Sequence, residues 1–213
     1  MKIQKIKMGR FLYEKINKPI RRKRDIILLL LETIKLFANP DEEVTNGSGE
    51  ITIYIDKMSR VIYELKEKYF SFVFPFSVEL QKGNCKFYDG STECDLDDKM
   101  ISLLISIFQQ QDVIGESFEK AMDAIIECAE EYEYKDIDII WRLMLKLWYM
   151  EDGYIRYDYD LERSNGGKHP LNHLDVNYSM GTTYKIGLKN AIQMKEFVEI
   201  LNINSDCAYL QVS

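Results

Sequence analysis

The spacing of the apolar residues changes at Gly153, and this change constrains the fold more than any other feature of the sequence. Before Gly153, apolar residues recur mainly at intervals of three and four, which is typical of amphipathic helices. After it, residues 154–160 alternate between large apolar or aromatic side chains and charged ones, as a half-buried strand does. The pattern predicts an α+β fold, with a helical N-terminal two thirds packed with a C-terminal antiparallel β-meander and a covering helix.

The apolar periodicity predicts helices over residues 24–38, 50–69, 100–110, 116–132 and 139–150. Residues 51–55 alone would also pass as a strand. A strand over residues 70–80, interrupted by Pro75, is expected to pair with residues 86–88. The segment 139–150 is apolar nearly all round, which indicates a helix in the centre of the core or at an interface. In the C-terminal third the patterns predict strands at 154–160, 173–178, 182–188 and 207–212, with a short helix that Asn190 would cap.

Charge is distributed unevenly along the chain. Residues 1–24 contain ten basic side chains and one acidic one, a net +9, although the whole chain carries −7. We therefore predict a basic arm at 1–24 and a single domain at 25–213, helix-rich over 25–150 and β-rich over 151–213. Such a segment can dock on the acidic body, contact a second subunit or reach phosphate, with Arg21, Arg22, Lys23 and Arg24 as the candidate contacts. It can equally be a solvated arm that balances charge.

The sequence predicts a cytoplasmic protein without a membrane segment. No apolar run approaches the roughly 20 residues that span a bilayer. The short run at 26–31 follows the basic cluster but stops at Glu32, and no small-residue cleavage site follows it. The four cysteines form no CxxC pair and are expected to be thiols, with Cys128 in the core and with Cys85 and Cys94 able to approach each other.

The two histidines of the chain lie four residues apart, at His169 and His173. Pro170 excludes a helical metal-binding pair, because it keeps His169 out of the helical region. His173 and Asp175 would share one face of a strand, as Arg156, Asp158 and Asp160 would share one face of the preceding strand. If these strands pair, the His and Asp side chains converge on one patch.

Three kinds of chemistry suit such a patch. His173, Asp175 and Asp158 could ligate a divalent metal, Mn²⁺ or Mg²⁺. Alternatively, His169 and His173 could act as general acid and base in metal-free RNA cleavage, with Arg156 or Lys185 on the phosphate. Third, Asp–His hydrogen bonds could simply brace a polar loop. Walker, GxGxxG, GxSxG and HExxH motifs are absent from the sequence.

The run from Met150 to Asp160, which contains Gly153-Tyr154-Ile155-Arg156-Tyr157-Asp158, is followed by the segment His169–Asp175. Together they resemble a segment of poorly characterised bacterial proteins from mobile and phage-defence neighbourhoods. The resemblance covers about a quarter of the chain. It implies a cytoplasmic bacterial protein of a small multi-gene system, of the phage-defence or toxin–antitoxin type, and assigns no activity to individual residues.

Two functions therefore compete. The first is an interaction or assembly protein that binds a protein partner or a second copy of itself, which the charge distribution and segment 139–150 favour. The second is a phosphodiester-cleaving or nucleotide-processing enzyme built on His169, His173, Asp175, Asp158 and Asp160, with or without Mn²⁺ or Mg²⁺. In that case the basic N-terminal residues would attract nucleic acid or a nucleotide.

Overall fold

The computed structural model describes residues 3–40, 49–55, 57–81, 84–110, 117–178 and 183–209. In chain order it contains β1 (Ile3–Lys7), α1 (Arg10–Ile16), α2 (Lys23–Ala38), β2 (Glu50–Tyr54), β3 (Arg60–Glu64), β4 (Lys68–Val73), β5 (Ser77–Leu80), β6 (Cys85–Asp89), β7 (Cys94–Asp95), α3 (Asp98–Gln109), α4 (Phe118–Glu131), α5 (Ile137–Tyr149), β8 (Ile155–Tyr159), β9 (Asn172–Val176), β10 (Tyr184–Leu188) and α6 (Met194–Leu201).

The chain forms two compact units. The first comprises Met1–Pro19, Val44–Phe74 and Asp152–Ser213, and the second comprises Ile20–Glu43 and Pro75–Glu151. The first unit is built on a seven-stranded sheet in the order β1-β2-β3-β4-β8-β9-β10, in which neighbouring strands run antiparallel. On one face of this sheet, α6 inserts the fully buried Phe197 against Tyr157 and Leu174.

The predicted architecture is wrong, because strands come first and the N-terminal two thirds are not mainly helical. Residues 50–69, predicted as a helix, form β2, β3 and the start of β4. Both faces of β2 are covered, so that Ile51, Thr52 and Ile53 are all buried. A strand that is buried on both faces is apolar without strict alternation, and hydrophobic periodicity alone then cannot distinguish it from a helix.

The second unit contains α2, α3, α4, α5 and a three-stranded sheet in the order β5-β6-β7. The helices predicted at 24–38, 100–110, 116–132 and 139–150 are confirmed to within two residues at each end. The strand predicted at 70–80 is two strands, β4 and β5, which are separated at Pro75. β5 pairs with β6, as predicted.

Helix α5 buries one face of its surface, with Ile140, Leu143, Met144 and Leu147 inside. Tyr149 at its end is 77% exposed, so the helix is not enclosed on all sides within the described part of the chain.

Asp89, at the end of β6, has no exposed surface and forms an ion pair with Lys146 of α5. The hydroxyls of Ser91 and Thr92 and the backbone N–H of Thr92 also donate to the Asp89 carboxylate.

Residues 1–24, predicted as a basic arm, are divided between the two units. Within the first unit, β1 pairs with β2, and the Lys5 and Lys7 ammonium groups lie 2.6 and 3.6 Å from the Glu50 carboxylate. Within the second, the backbone N–H groups of Arg21 and Arg22 donate to the Asp25 carboxylate. Lys23 and Arg24 donate to the carbonyls of Met150 and Gln110.

The remaining predictions concern cysteines, the last helix and the membrane. Cys85, Cys94 and Cys128 are buried free thiols, and Cys207 is exposed. The last helix begins at Met194 with Gln193 as its N-cap, not Asn190. Residues 207–209 form no strand, and residues 210–212 of that predicted strand lie outside the described residues. None of the described helices is long and apolar enough to cross a membrane.

Candidate functional site

The strands β8 and β9 pair antiparallel, which is the condition on which the predicted patch depended. Arg156 lies opposite Asp175, and Asp158 lies opposite His173. On the far side of β9, Lys185 of β10 lies opposite Asp175. Residues two apart in a strand share a face of the sheet, and so do residues that lie directly opposite each other on paired strands. All five side chains therefore project from the same face of the sheet. We call Arg156, Asp158, His173, Asp175 and Lys185 the charged cluster.

Arg156 joins the two carboxylates of the cluster. Its Nε and Nη2 atoms lie 2.8 and 2.7 Å from Oδ2 of Asp158, and Nη2 also donates to Oδ2 of Asp175. The Lys185 Nζ atom donates to Oδ1 of Asp175 over 2.6 Å. The cluster therefore balances two carboxylates with two cations, as a group of largely buried charges requires.

His173 is held in one protonation and tautomeric state by its neighbours. Its Nδ1–H donates to the Pro170 carbonyl over 2.8 Å, and its Nε2 lies 2.9 Å from Lys185 Nζ. Since an ammonium group offers only donors, Nε2 must accept, and the ring is neutral. Burial lowers the pKa of His173, and the nearby Lys185 charge adds to this effect.

Three atoms of the cluster have the composition of a metal site. One ligand atom each from Asp158, His173 and Asp175 lie within 4.8 Å of one another. The His173 Nε2 atom is 3.7 Å from Asp158 Oδ2 and 3.8 Å from Asp175 Oδ1. Two carboxylate oxygens and one imidazole nitrogen suit a divalent cation such as Mn²⁺ or Mg²⁺. In the structure, the Lys185 ammonium lies against two of these three atoms.

A pocket of about 310 Å³ opens beside the cluster. Arg156 and Asp158 line it, whereas His173 has no exposed surface and lies behind them. The lining also includes Lys68, Asp160 and Arg163. A ligand in this pocket would therefore meet the outer two members of the cluster directly.

Lys68 is one of the pocket residues that the sequence pattern did not predict. It lies opposite Asp158 on β4, and its Nζ donates to the carbonyls of Ile16 and Asn17 over 2.8 and 3.3 Å. Burial, aided by the charge of Arg156, lowers its pKa to about 8. In the sequence, Lys68 is marked only by its position next to the aromatic residues that follow it. Because the periodicity predicts a helix over 50–69, the pairing of Lys68 with Asp158 across two strands could not be foreseen.

His169 and Asp160 form a separate pair next to the cluster. Asp160 lies one residue beyond the end of β8, and its Oδ2 is 3.1 Å from His169 Nε2. Burial by itself would raise the pKa of Asp160. Hydrogen bonds from the Arg163 backbone and from His169 outweigh burial and lower this pKa. The two histidine rings meet edge-to-face, with their centroids 4.8 Å apart.

The predicted residues thus fall into three groups. Arg156, Asp158, His173, Asp175 and Lys185 form one cluster, and His169 with Asp160 borders it through the ring contact. Arg21, Arg22, Lys23 and Arg24 belong to the second unit, whereas the cluster belongs to the first.

Comparisons of the chain with protein-family models, with curated proteins and with solved structures found no match.

Proposed function

We propose that this protein is a phosphodiester-cleaving or nucleotide-processing enzyme whose active site is the charged cluster, with a divalent cation held by Asp158, His173 and Asp175. The observation that carries the proposal is the convergence of these three ligand atoms beside a pocket lined by Arg156 and Lys68. Burying so many ionisable groups together costs stability, and such groups concentrate at functional sites.

The donor set fits a cation, because the position already attracts one. The Lys185 ammonium is held there by Asp175 and His173. A divalent ion in this position would polarise a phosphoryl oxygen and lower the pKa of a bound water. In the reaction, the water oxygen bonds to phosphorus and releases a proton, the bond between phosphorus and the leaving oxygen breaks, and the leaving oxygen takes up a proton. The products are a phosphate monoester and an alcohol.

The pocket supports a phosphate-bearing substrate. Arg156 and Lys68 supply two cations beside the metal ligand Asp158. A guanidinium and an ammonium on the wall of one pocket suit the non-bridging oxygens of a phosphate. The wall also contains three further carboxylates, of Glu67, Asp160 and Glu162, and a third cation, Arg163. Of these carboxylates, Asp160 is engaged by His169. A volume of about 310 Å³ suits a single nucleotide unit or the end of a strand.

The experiment compares the wild type with His173→Ala on RNA, single-stranded DNA and cyclic nucleotides, in Mn²⁺, in Mg²⁺ and in EDTA. Asp138→Asn serves as the matched control, because Asp138 is an exposed carboxylate that pairs only with the following turn of its own helix at Arg142. We expect cleavage with metal, a loss of at least a hundredfold in His173→Ala and no change in the control. Equal rates for wild type and His173→Ala, with both folded by circular dichroism, would contradict the proposal.

A role in assembly is the second candidate function, and exposed aromatic residues of the second unit favour it. Phe118 is 64% exposed and meets Trp141 edge-to-face at 5.2 Å. We propose that this pair contributes to contact with a protein partner or a second copy of the chain, in a bacterial cytoplasmic system of the phage-defence kind. Light scattering at low and high salt tests self-association. If the wild type scatters light as a monomer at both salt concentrations, and Phe118→Ser has the same molecular mass, a homo-oligomer is excluded.

A further inference from the structure

The Lys185 ammonium and the proposed cation would occupy the same space. Lys185 Nζ lies 2.6 Å from Asp175 Oδ1 and 2.9 Å from His173 Nε2. The three ligand atoms are within 4.8 Å of one another, so that they enclose room for one cation. A divalent ion that binds the same oxygen and nitrogen would lie about 2.1 Å from each of them. It would then be too close to the ammonium nitrogen for both cations to be present at once.

We infer that Lys185 is a built-in counter-cation of this site, and that a divalent ion enters by displacing its ammonium group. The inference rests on the proposed function, since it concerns how the same three ligands are filled. Lys185 is then a positioning residue: it keeps Asp175 and His173 in place before the metal arrives. It also sets the affinity for the metal, because every binding event must first break its two hydrogen bonds.

Lys185 is better placed than Arg156 to leave the cluster. Lys185 belongs to β10, the last strand in the order of the sheet, and its side chain is 29% exposed. It can therefore turn towards solvent by changing rotamers alone. Arg156 lies on the interior strand β8, is 19% exposed and bonds both carboxylates. Arg156 keeps the two carboxylates together after the exchange.

The alternative is that Lys185 is a permanent counter-ion and that the cluster needs no metal. Both models agree that Lys185→Met destabilises the metal-free protein, because Asp175 loses one of its two cationic partners. They differ in what a divalent ion then does. Under exchange, removing the ammonium strengthens metal binding, whereas a permanent counter-ion predicts weaker binding or none.

The experiment measures Mn²⁺ binding by isothermal titration calorimetry for the wild type, Lys185→Met, Lys185→Gln and Lys195→Met. Lys195 is the matched control, because its side chain is 85% exposed and its ammonium lies 3.8 Å from Glu199 on the same helix, away from the cluster. We expect at least tenfold tighter binding in both Lys185 variants and no change in Lys195→Met. Mn²⁺ should also raise the unfolding temperature of the Lys185 variants more than that of the wild type.

Each result decides the inference separately from the proposed function. If the wild type binds Mn²⁺ and cleaves, but the Lys185 variants bind no more tightly, the exchange is wrong and the enzyme stands. If the wild type binds Mn²⁺ and the Lys185 variants bind it more tightly, but the wild type cleaves no substrate, the exchange stands and the proposed activity fails. If only the Lys185 variants bind Mn²⁺, the ion does not displace the ammonium of the natural chain, and the exchange is wrong. If no variant binds Mn²⁺, or if neither Lys185 variant folds even when refolded with Mn²⁺, the exchange is overturned.

Discussion

At the scale of single residues, the two members of the charged cluster on β9, His173 and Asp175, are almost completely removed from water. Asp175 is 2% exposed and accepts hydrogen bonds from both Arg156 and Lys185. A carboxylate in such surroundings is tolerated only while its partners remain, since removing one side of a buried pair leaves the other uncompensated. The charges that would bind a ligand at this site therefore also destabilise the fold when any one of them is removed.

We predict that Asp175→Asn lowers the free energy of unfolding by about 3 kcal/mol, because it leaves two cations partly unpaired. Urea unfolding followed by circular dichroism measures this. Glu199→Gln, which breaks an exposed pair with Lys195, should change the value by about 0.5 kcal/mol at most. An Asp175 variant as stable as this control would show that the pairing in the cluster contributes little.

We predict that Lys68→Met weakens binding of inorganic sulfate, as a phosphate mimic of constant charge, by about tenfold. Because the pKa of Lys68 is lowered to about 8, its positive charge is lost as the pH rises through that value. Sulfate should accordingly bind the wild type more weakly at pH 9 than at pH 7, and Lys68→Met should lack this part of the pH dependence. Titration calorimetry measures both effects.

The exposed Lys66, two residues earlier in the chain, provides the control for this prediction. Lys66→Met should bind sulfate as the wild type does. Equal losses in Lys66→Met and Lys68→Met would indicate a general effect of charge and would exclude a specific role for Lys68.

At the scale of elements, the register of β8, β9 and β10 creates the site. Gly187 of β10 lies opposite His173, and a Cβ atom there would come within 2.9 Å of Pro170 Cγ. Pro170 is also the residue whose carbonyl fixes the His173 ring. The glycine therefore leaves room for the loop that orients His173.

We predict that Gly187→Val destabilises the fold by about 1–3 kcal/mol through overpacking, and that it weakens Mn²⁺ binding because Pro170 and His173 shift together. Gly167→Ala is the control, since no atom lies within 4 Å of a Cβ at that position. Thermal unfolding and calorimetry measure the two effects. A Gly187→Val protein with wild-type stability would show that the loop yields without cost.

At the scale of the whole molecule, each unit contains its own buried charges. In the second unit, burial alone would raise the pKa of Asp89. Hydrogen bonds from Lys146, Ser91 and Thr92 outweigh it and lower the pKa to about 2. A carboxyl whose pKa is lower in the folded than in the unfolded protein stabilises the fold above its unfolded pKa, and this stabilisation is lost as the pH falls towards the folded value.

We therefore predict that Asp89 contributes about 2 kcal/mol at neutral pH, and that this contribution disappears between about pH 4 and pH 2. Asp89→Asn should be less stable than the wild type at pH 7, with the difference shrinking towards pH 2.5. Both tryptophans, Trp141 and Trp148, lie in α5 of the same unit, so their fluorescence follows its unfolding. A difference between the two proteins that is independent of pH would contradict the assignment, and Asp138→Asn should follow the wild type throughout.

The sequence alone determined those elements whose pattern is visible within one segment. Helices α3, α4 and α5 of the second unit each have one buried and one more exposed face. The sequence of β8 alternates between apolar and charged side chains, as a strand does. The two-residue spacing of Arg156 with Asp158, and of His173 with Asp175, was likewise sufficient to put each pair on one face of its strand.

Only the tertiary structure decided the rest, because the remaining features depend on contacts between distant segments. The burial of β2 and β3 on both faces removed the alternation by which a strand is recognised. Lys68 enters the site only because β4 pairs with β8, and Lys185 reaches His173 only through the register of β10 with β9. Asp160, which the two-residue spacing grouped with Asp158, lies beyond the end of β8 and pairs with His169. Local pattern specifies which face a side chain occupies, whereas strand pairing specifies which other side chains it meets.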